Sequence, residues 1–184
     1  MRNLPNIMTV TRIIGSSTVP FLIMAETPAL RLIAIVVFII AAVTDWLDGY
    51  LARQLNAVSS LGRMLDPIAD KLLVAVTLLA LATVDQWGWL MFIPSILILM
   101  REVFISGLRE FMSGHDFVIH VTRMAKYKTT FQLIALGFAI ASPLTPADWQ
   151  INAITIALLW IAAGMTVITG WDYFKKALSH DIKS

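Results

Sequence analysis

Long apolar runs follow one another along this chain, each close to the length that a helix needs to cross a bilayer. A spanning helix takes about 20 consecutive, mostly apolar residues. Six runs qualify: Thr9–Ala25, Ala29–Gly49, Pro67–Val84, Trp87–Phe111, Lys126–Ser142 and Trp149–Phe174. With 58% of its 184 residues apolar and 14% charged, the chain is too apolar to bury this surface in its own core. We therefore predict an all-α, polytopic membrane protein with six transmembrane helices, forming one domain over residues 1–184.

The breaks between the runs predict how the chain lies across the membrane. Two are short and contain proline, Glu26–Pro28 and Ser142–Asp148, whereas Tyr50–Asp66 and Met112–Ala125 are longer. Basic residues cluster at the N-terminus, around the two longer connections and in the C-terminal tail, and only Arg31 falls near the other side. Because Lys- and Arg-rich loops remain in the cytoplasm, we expect both termini and both longer connections there.

Charge and cysteine content exclude several classes of function. The net charge of +2 is small and the basic residues are divided among several connections, so nucleic acid is not an expected partner. The chain contains no cysteine, which excludes a disulfide framework, thiolate metal sites and a cysteine nucleophile.

Four aspartates lie where the second apolar run ends and the third begins. Asp45 and Asp48 are three residues apart and Asp66 and Asp70 are four apart, so each pair shares a helix face. If the two helices pack as antiparallel neighbours, the carboxylates converge on one pocket at the cytoplasmic rim of the bilayer. Carboxylates at membrane depth are costly, and hard divalent cations compensate them. The pattern therefore predicts a Mg²⁺ or Mn²⁺ site, and two such ions suit a phosphoryl displacement.

Small and basic residues accompany the aspartates. Gly49 and Gly62 lack a Cβ, which lets a bulky ligand approach the helix backbone, and Arg53 is placed to meet a phosphate. The alternative is that the acids are solvated at the interface and paired with nearby cations, such as Arg63 and Lys71, while the glycines serve packing.

The complete pattern resembles the signature of the CDP-alcohol phosphotransferase family at all eight fixed positions: Asp45-x-x-Asp48-Gly49-x-x-Ala52-Arg53, eight residues, then Gly62-x-x-x-Asp66-x-x-x-Asp70. The resemblance implies that a hydroxyl attacks the β-phosphoryl group of CDP-diacylglycerol and that CMP leaves. It implies that all four aspartates contribute to the metal site and that Asp70 also takes the proton from the attacking hydroxyl. It further implies contacts to the CDP-lipid from Asn6, Thr9, Gly49, Ala52, Arg53, Ser59 and Gly62. For the N-terminal residues the alternative is an ordinary helix start, with Thr9 as a cap.

The alcohol is indicated by a second basic cluster. Residues 101–111 and 126–132 resemble the bacterial phosphatidylglycerophosphate synthases of that family, which implies glycerol 3-phosphate as the acceptor. An acceptor phosphate needs cationic donors, and Arg101, Arg109 and Lys126 are the candidates. The same cations would also satisfy topology or bind anionic lipid headgroups.

The same resemblance implies a homodimer in the inner (cytoplasmic) membrane of a bacterium, with its active site on the cytoplasmic side. Three alternatives remain open. The acceptor could be another alcohol, such as inositol phosphate, serine or phosphatidylglycerol, the last giving cardiolipin. From other classes, buried acids also line the paths of divalent-cation transporters, and a membrane scaffold would need none of them for function.

Overall fold

The structure is a computed structural model that describes residues 4–55, 60–84, 88–113, 123–146 and 150–181. For residues 4–10, 12, 45–55, 60–67, 70, 113, 123, 125, 126, 180 and 181 it describes the backbone alone. The long elements in these ranges are the helices α1 (Leu4–Met24), α2 (Pro28–Leu55), α3 (Ser60–Val84), α4 (Trp89–Ser113), α5 (Arg123–Ala141) and α6 (Ile151–Asp181). A short 3₁₀ turn, Ser142–Leu144, follows α5. The all-α prediction is confirmed, and each apolar run lies on its own helix.

Outward-facing apolar side chains are abundant in the described residues, as lipid contact requires. Phe21, Leu79 and Val103 are 73%, 66% and 72% exposed. Within the described ranges, two stretches are long and apolar enough to cross a membrane, Trp89–Met112 and Ile151–Ser179. Shorter apolar stretches occur on α1, α2 and α3. The part of the chain described here therefore has the character of a membrane protein, and the full count of six spans stays a prediction.

α2 and α3 are longer than the apolar runs that predicted them. α2 continues past Gly49 to Leu55, and α3 begins at Ser60, before Pro67. The prediction that Tyr50–Asp66 is a connection is therefore wrong over most of its length. Hydropathy marks where contact with lipid ends, whereas a helix continues wherever its backbone hydrogen bonds continue, including through polar residues. As a result, both aspartate pairs lie within helices.

The chain forms two compact units, of which the first contains residues 1–87 and 136–152. In this unit α1 packs against both α2 and α3, and α2 also contacts α3. Its interior contains large apolar side chains: Val19, Ile23, Phe38, Leu78, Leu81 and Ile140. This unit contains the complete aspartate motif.

The second unit contains residues 88–135 and 153–184, which include α4, most of α5 and nearly all of α6. Ile105 and Met112 of α4 pack with Tyr173 and Ala177 of α6 in an apolar cluster. Polar and charged residues are also buried here, among them Lys128, Gln132 and Thr169. A buried lysine is uncommon, so this unit contains a second place where function is to be sought.

The predicted turn between α1 and α2 is confirmed, and its residues explain its shape. Glu26 adopts a left-handed conformation with φ 53°. Thr27 then caps α2: its backbone carbonyl accepts the amide of Arg31 at 2.9 Å, and its hydroxyl lies 3.4 Å from the amide nitrogen of Leu30. Pro28 follows at the first helical position, where its missing N–H costs nothing.

Arg31 sits directly after this turn and is 3% exposed. Its Nε donates to the carbonyl of Ile140 at 3.1 Å, and its Nη1 lies 3.4 Å from the carbonyl oxygen of Ile23. Both carbonyls belong to the last turn of a helix, α5 and α1, where the intrahelical N–H donors run out. The Ile23 carbonyl also accepts the amide of Glu26 at 3.2 Å. The guanidinium therefore satisfies two helix C-termini and is compensated by their partial negative charge.

We predict that Arg31→Met lowers the free energy of unfolding by about 2–3 kcal/mol, because both carbonyls lose a charged donor. Thermal unfolding in detergent would measure it. Leu32→Met, at the exposed neighbouring position, is the matched control and should leave the midpoint unchanged. Equal midpoints for the two variants would contradict the capping role.

Candidate active site

The two aspartate pairs lie at similar distances from the connection between their helices. Asp48 is seven residues before the end of α2, and Asp66 is six residues after the start of α3. At 1.5 Å per residue, each lies roughly 10 Å along its helix from the connection. Because α2 and α3 contact each other within one unit, the backbone brings the two pairs to comparable heights.

The register of α2 also determines which face the aspartates occupy. Ala34, Phe38 and Ala41 are buried and recur at intervals of four and three residues, so they define the inward face of this helix. Positions 45 and 48 continue the same interval and lie on that face. The apolar stripe of α2 is therefore continued by two aspartates.

α3 shows the same continuity from the other direction. Leu73, Thr77 and Ala80 are buried at intervals of four and three residues. Continuing this series backward gives positions 70 and 66, so Asp66 and Asp70 occupy the inward register of α3. Acids in the register of a buried stripe require compensation by cations or by ligands, unlike acids on a solvated face.

The remaining residues of the predicted CDP-lipid site lie on the same three helices. Gly49, Ala52 and Arg53 lie on α2, and Gly62 lies in the first turn of α3. On α1, Thr9 lies two turns before the buried Ser16 and shares its face, with Asn6 one turn earlier. The predicted contact residue Ser59 lies outside the described residues. The segments Gly49 to Arg53 and Gly62 to Asp70 thus lie on two helices that contact each other.

A second polar cluster lies in the other unit. We call it the Arg101 cluster, formed by Arg101 and Glu102 of α4, Lys128 of α5 and Thr169 of α6. Arg101 Nη2 donates to the Thr169 hydroxyl at 3.1 Å, and Arg101 Nη1 lies 3.4 Å from Glu102 Oε1. The Lys128 ammonium also pairs with Glu102. The guanidinium carbon of Arg101 lies 5.6 Å from the centre of the Tyr173 ring.

The burial of this cluster shows that its charges are not ordinary surface charges. The side chains of Arg101, Glu102 and Lys128 are 11%, 16% and 4% exposed. Together they carry two positive charges and one negative charge, so the group has an excess of positive charge. Such an arrangement favours an anion.

The predicted acceptor-site residues are distributed unevenly. Arg101 lies in the cluster, whereas Arg109, two turns along α4, is exposed. Lys126 lies in the first turns of α5, and its side chain is outside the described residues. Sequence reasoning did not select Lys128 as a site residue. The signal was present, since Lys128, Gln132, Leu136 and Ile140 recur every four residues and form the buried face of α5.

Comparison of the amino-acid sequence with known proteins identifies the family to which this chain is similar. The model of the CDP-alcohol phosphatidyltransferase family matches residues 2–168. The CDP-diacylglycerol–glycerol-3-phosphate 3-phosphatidyltransferase of Rickettsia typhi is 40% identical over 178 residues, covering 95% of this chain and 97% of that protein. The protein of the same name from Bacillus subtilis is 35% identical, covering 96% and 95%. A rice cardiolipin synthase (CMP-forming) is also 35% identical, covering 94% of this chain and 56% of its own length.

We predict that Glu102→Leu lowers the free energy of unfolding by about 3 kcal/mol, because it removes the carboxylate that compensates buried Lys128. Chemical or thermal unfolding in detergent would measure the change. Glu110→Leu, on the exposed face of the same helix, is the matched control. The double variant Glu102→Leu/Lys128→Leu should recover part of the loss, since the lysine charge is then absent while Arg101 still lacks Glu102. A Glu102→Leu protein as stable as Glu110→Leu would contradict this account.

Proposed function

The chain belongs to the CDP-alcohol phosphatidyltransferase family, and we propose that it transfers the phosphatidyl group of CDP-diacylglycerol to glycerol 3-phosphate. The products are phosphatidylglycerophosphate and CMP. The proposal is supported by relatives named for this reaction that are 35–40% identical and align over nearly the full length of both chains. It is also supported by the Arg101 cluster, because the phosphate of glycerol 3-phosphate needs cationic donors, whereas serine is a zwitterion and needs less positive charge.

The observation that carries the chemistry is the continuation of two buried helix stripes by aspartates. Asp45, Asp48, Asp66 and Asp70 supply only carboxylate oxygens, the donors that Mg²⁺ and Mn²⁺ prefer. These four residues would hold two metal ions at one site. When bound, the ions supply positive charge that neutralises the phosphates and the leaving CMP.

The residues of the chain supply the remaining parts of the reaction. A hydroxyl of glycerol 3-phosphate forms a new bond to the β-phosphorus, and the bond from that phosphorus to the oxygen bridging to CMP breaks. Asp70 accepts the hydroxyl proton. In this role its carboxylate must lie within hydrogen-bond reach of the attacking hydroxyl. Asp70 is the last of the four aspartates along α3. A single carboxylate thus combines a base role with a ligand role.

The CDP-lipid binds against the small residues of α2 and α3. Gly49, Ala52 and Gly62 leave the helix backbones open to the nucleotide phosphates, and Arg53 donates to a phosphate oxygen. Asn6 and Thr9 of α1, together with Ser59, complete the contacts to the CDP portion. Support comes from the packing of α1 against both aspartate-bearing helices.

The acceptor phosphate binds at the Arg101 cluster. Arg101 provides guanidinium donors, and Lys128 joins Arg109 and Lys126 as a further cation of the second unit. Glu102 holds Arg101 and Lys128 close to each other in the absence of substrate. The similarity to a rice cardiolipin synthase makes phosphatidylglycerol the second candidate acceptor, since it presents a hydroxyl on a glycerol phosphate to the same chemistry.

The protein crosses the bacterial inner membrane six times, as a homodimer with both termini and the active site in the cytoplasm. The exposed apolar faces support the membrane assignment, and the basic connections support the orientation. Arg31, the one cation expected near the opposite side, donates to two helix C-termini. Its charge is therefore accounted for by structure and does not oppose the orientation.

Replacement of Asp70 by Asn should lower the rate of CMP release by about 10²–10⁴-fold, because the amide cannot take the proton from the hydroxyl. The assay uses purified protein, CDP-diacylglycerol, Mg²⁺ and glycerol 3-phosphate. Asp172→Asn, an exposed aspartate on α6, is the matched control and should retain wild-type activity. An active Asp70→Asn enzyme would exclude Asp70 as the base, and no metal-dependent CMP release from folded wild type would favour ion transport.

Replacement of Arg101 by Ala should raise the KM for glycerol 3-phosphate by about 10–100-fold, the effect of losing charged hydrogen bonds to a phosphate. The KM for CDP-diacylglycerol should change little. Inositol phosphate, serine and phosphatidylglycerol are tested in parallel with the wild type. CMP release that requires phosphatidylglycerol would retain the chemistry and overturn the acceptor.

A further inference from the structure

Gly170 lies inside α6, where glycine lowers helix stability by about 1 kcal/mol relative to alanine. The space at its missing side chain is occupied by Arg101. A Cβ at position 170 would lie 3.2 Å from Arg101 Cγ and 3.6 Å from Arg101 Nε. The arginine side chain therefore passes directly over the helix backbone at this residue, and any substitution would have to displace it.

The two neighbouring contacts on α6 hold the same side chain. Thr169 accepts a hydrogen bond from Arg101 Nη2 at 3.1 Å, and its own hydroxyl donates to the carbonyl of Met165 at 2.8 Å. One turn further, the Tyr173 ring lies 5.6 Å from the guanidinium carbon. We call Thr169, Gly170 and Tyr173 the α6 cradle. It contacts the aliphatic part of the Arg101 side chain, the Nη2 atom and one face of the guanidinium.

The contacts with the α6 cradle engage only some of the N–H donors of the Arg101 guanidinium. An arginine has five N–H donors. Within the described residues, Nη1 approaches Glu102 and Nη2 donates to Thr169, while Nε is buried without a hydrogen-bond partner. A buried donor without a partner is costly, so an arginine held in this way is poorly explained as a purely structural residue. It is explained if an anion completes its hydrogen bonds.

Other glycines in this unit show that Gly170 is not needed for helix packing in general. Gly164 lies six residues earlier on α6, and a Cβ there would meet nothing within 4 Å. Gly107 on α4 is equally open. The close approach is specific to the position beside Arg101, which makes Gly164 a matched control on the same helix.

From these contacts we infer that the α6 cradle is a positioning element for the acceptor phosphate, and that Gly170 determines its geometry. The inference rests on the proposed role of Arg101. Gly170 does not touch substrate; it acts by allowing Arg101 to lie against α6, with the remaining guanidinium donors directed to the phosphate. α6 thereby contributes to acceptor selection although the family match ends at residue 168, before the cradle.

The test compares Gly170→Ala and Gly170→Val with Gly164→Val in purified enzyme, using CMP release at varied glycerol 3-phosphate and at varied CDP-diacylglycerol. Gly170→Val should raise the KM for glycerol 3-phosphate by about tenfold or more, the effect of one misplaced charged donor. Gly170→Ala should give a smaller rise in the same constant. Gly164→Val should match the wild type, and the KM for CDP-diacylglycerol should stay within about twofold in all three.

A double-mutant cycle separates positioning from packing. In an Arg101→Ala background, Gly170→Val should cause no further rise in the KM for glycerol 3-phosphate, because the side chain that it displaces is absent. Thermal unfolding of each variant identifies any that fail to fold. If Gly170→Val is one of them, Gly170→Ala replaces it in the comparison with the Arg101→Ala background.

Each outcome has a distinct meaning. A Gly170→Val enzyme with an unchanged KM for glycerol 3-phosphate overturns the positioning role while the proposed function stands. A rise in both KM values, or one that persists in the Arg101→Ala background, assigns Gly170 to packing and also overturns it. A folded wild type that releases no CMP with glycerol 3-phosphate contradicts the proposed function, and this inference with it.

Discussion

A charged side chain in an apolar surrounding is stable only when a partner charge, a dipole or a ligand compensates it, and this constraint acts repeatedly along the chain. Arg31 is compensated by the C-terminal carbonyls of α1 and α5. Lys128 is compensated by Glu102, which also lies beside Arg101. For the aspartates in the inward register of α2 and α3, we propose divalent metal. The contacts of Arg31 stabilise the fold. For the Arg101 cluster and for the aspartates we propose that a ligand adds to the compensation.

Helix register is the means by which the fold concentrates charge where chemistry is needed. On α2 the buried series Ala34, Phe38 and Ala41 is continued by positions 45 and 48. On α3 the aspartates precede buried Leu73 by the same periodicity. On α2 and on α3, one part of the inward face therefore packs against other helices, and the other part carries the aspartates of the proposed reaction. A shift of one residue in either helix would turn its aspartates away from the other pair.

Much of this architecture could be predicted from sequence because it depends on local patterns. Apolar runs indicated the six long helices in the described residues, and the break Glu26–Pro28 indicated the turn between α1 and α2. The end of α2 at Leu55 was missed because hydropathy reports lipid contact and helices continue beyond it. Lys128 was passed over for Lys126 because the choice needs the buried face of α5. The pairing of Arg101 with Thr169 and Gly170 joins distant residues on separate helices, which no local pattern encodes.

The central claim is that aspartates from two helices form one metal site, and binding of Mn²⁺ measured by electron paramagnetic resonance tests it most directly. The purified protein is titrated with Mn²⁺ as wild type, Asp45→Asn on α2, Asp66→Asn on α3 and Asp172→Asn on α6. The account predicts bound Mn²⁺ in the wild type and in Asp172→Asn, and its loss in each of the other two variants. Wild-type binding that survives either Asp45→Asn or Asp66→Asn would contradict a shared site.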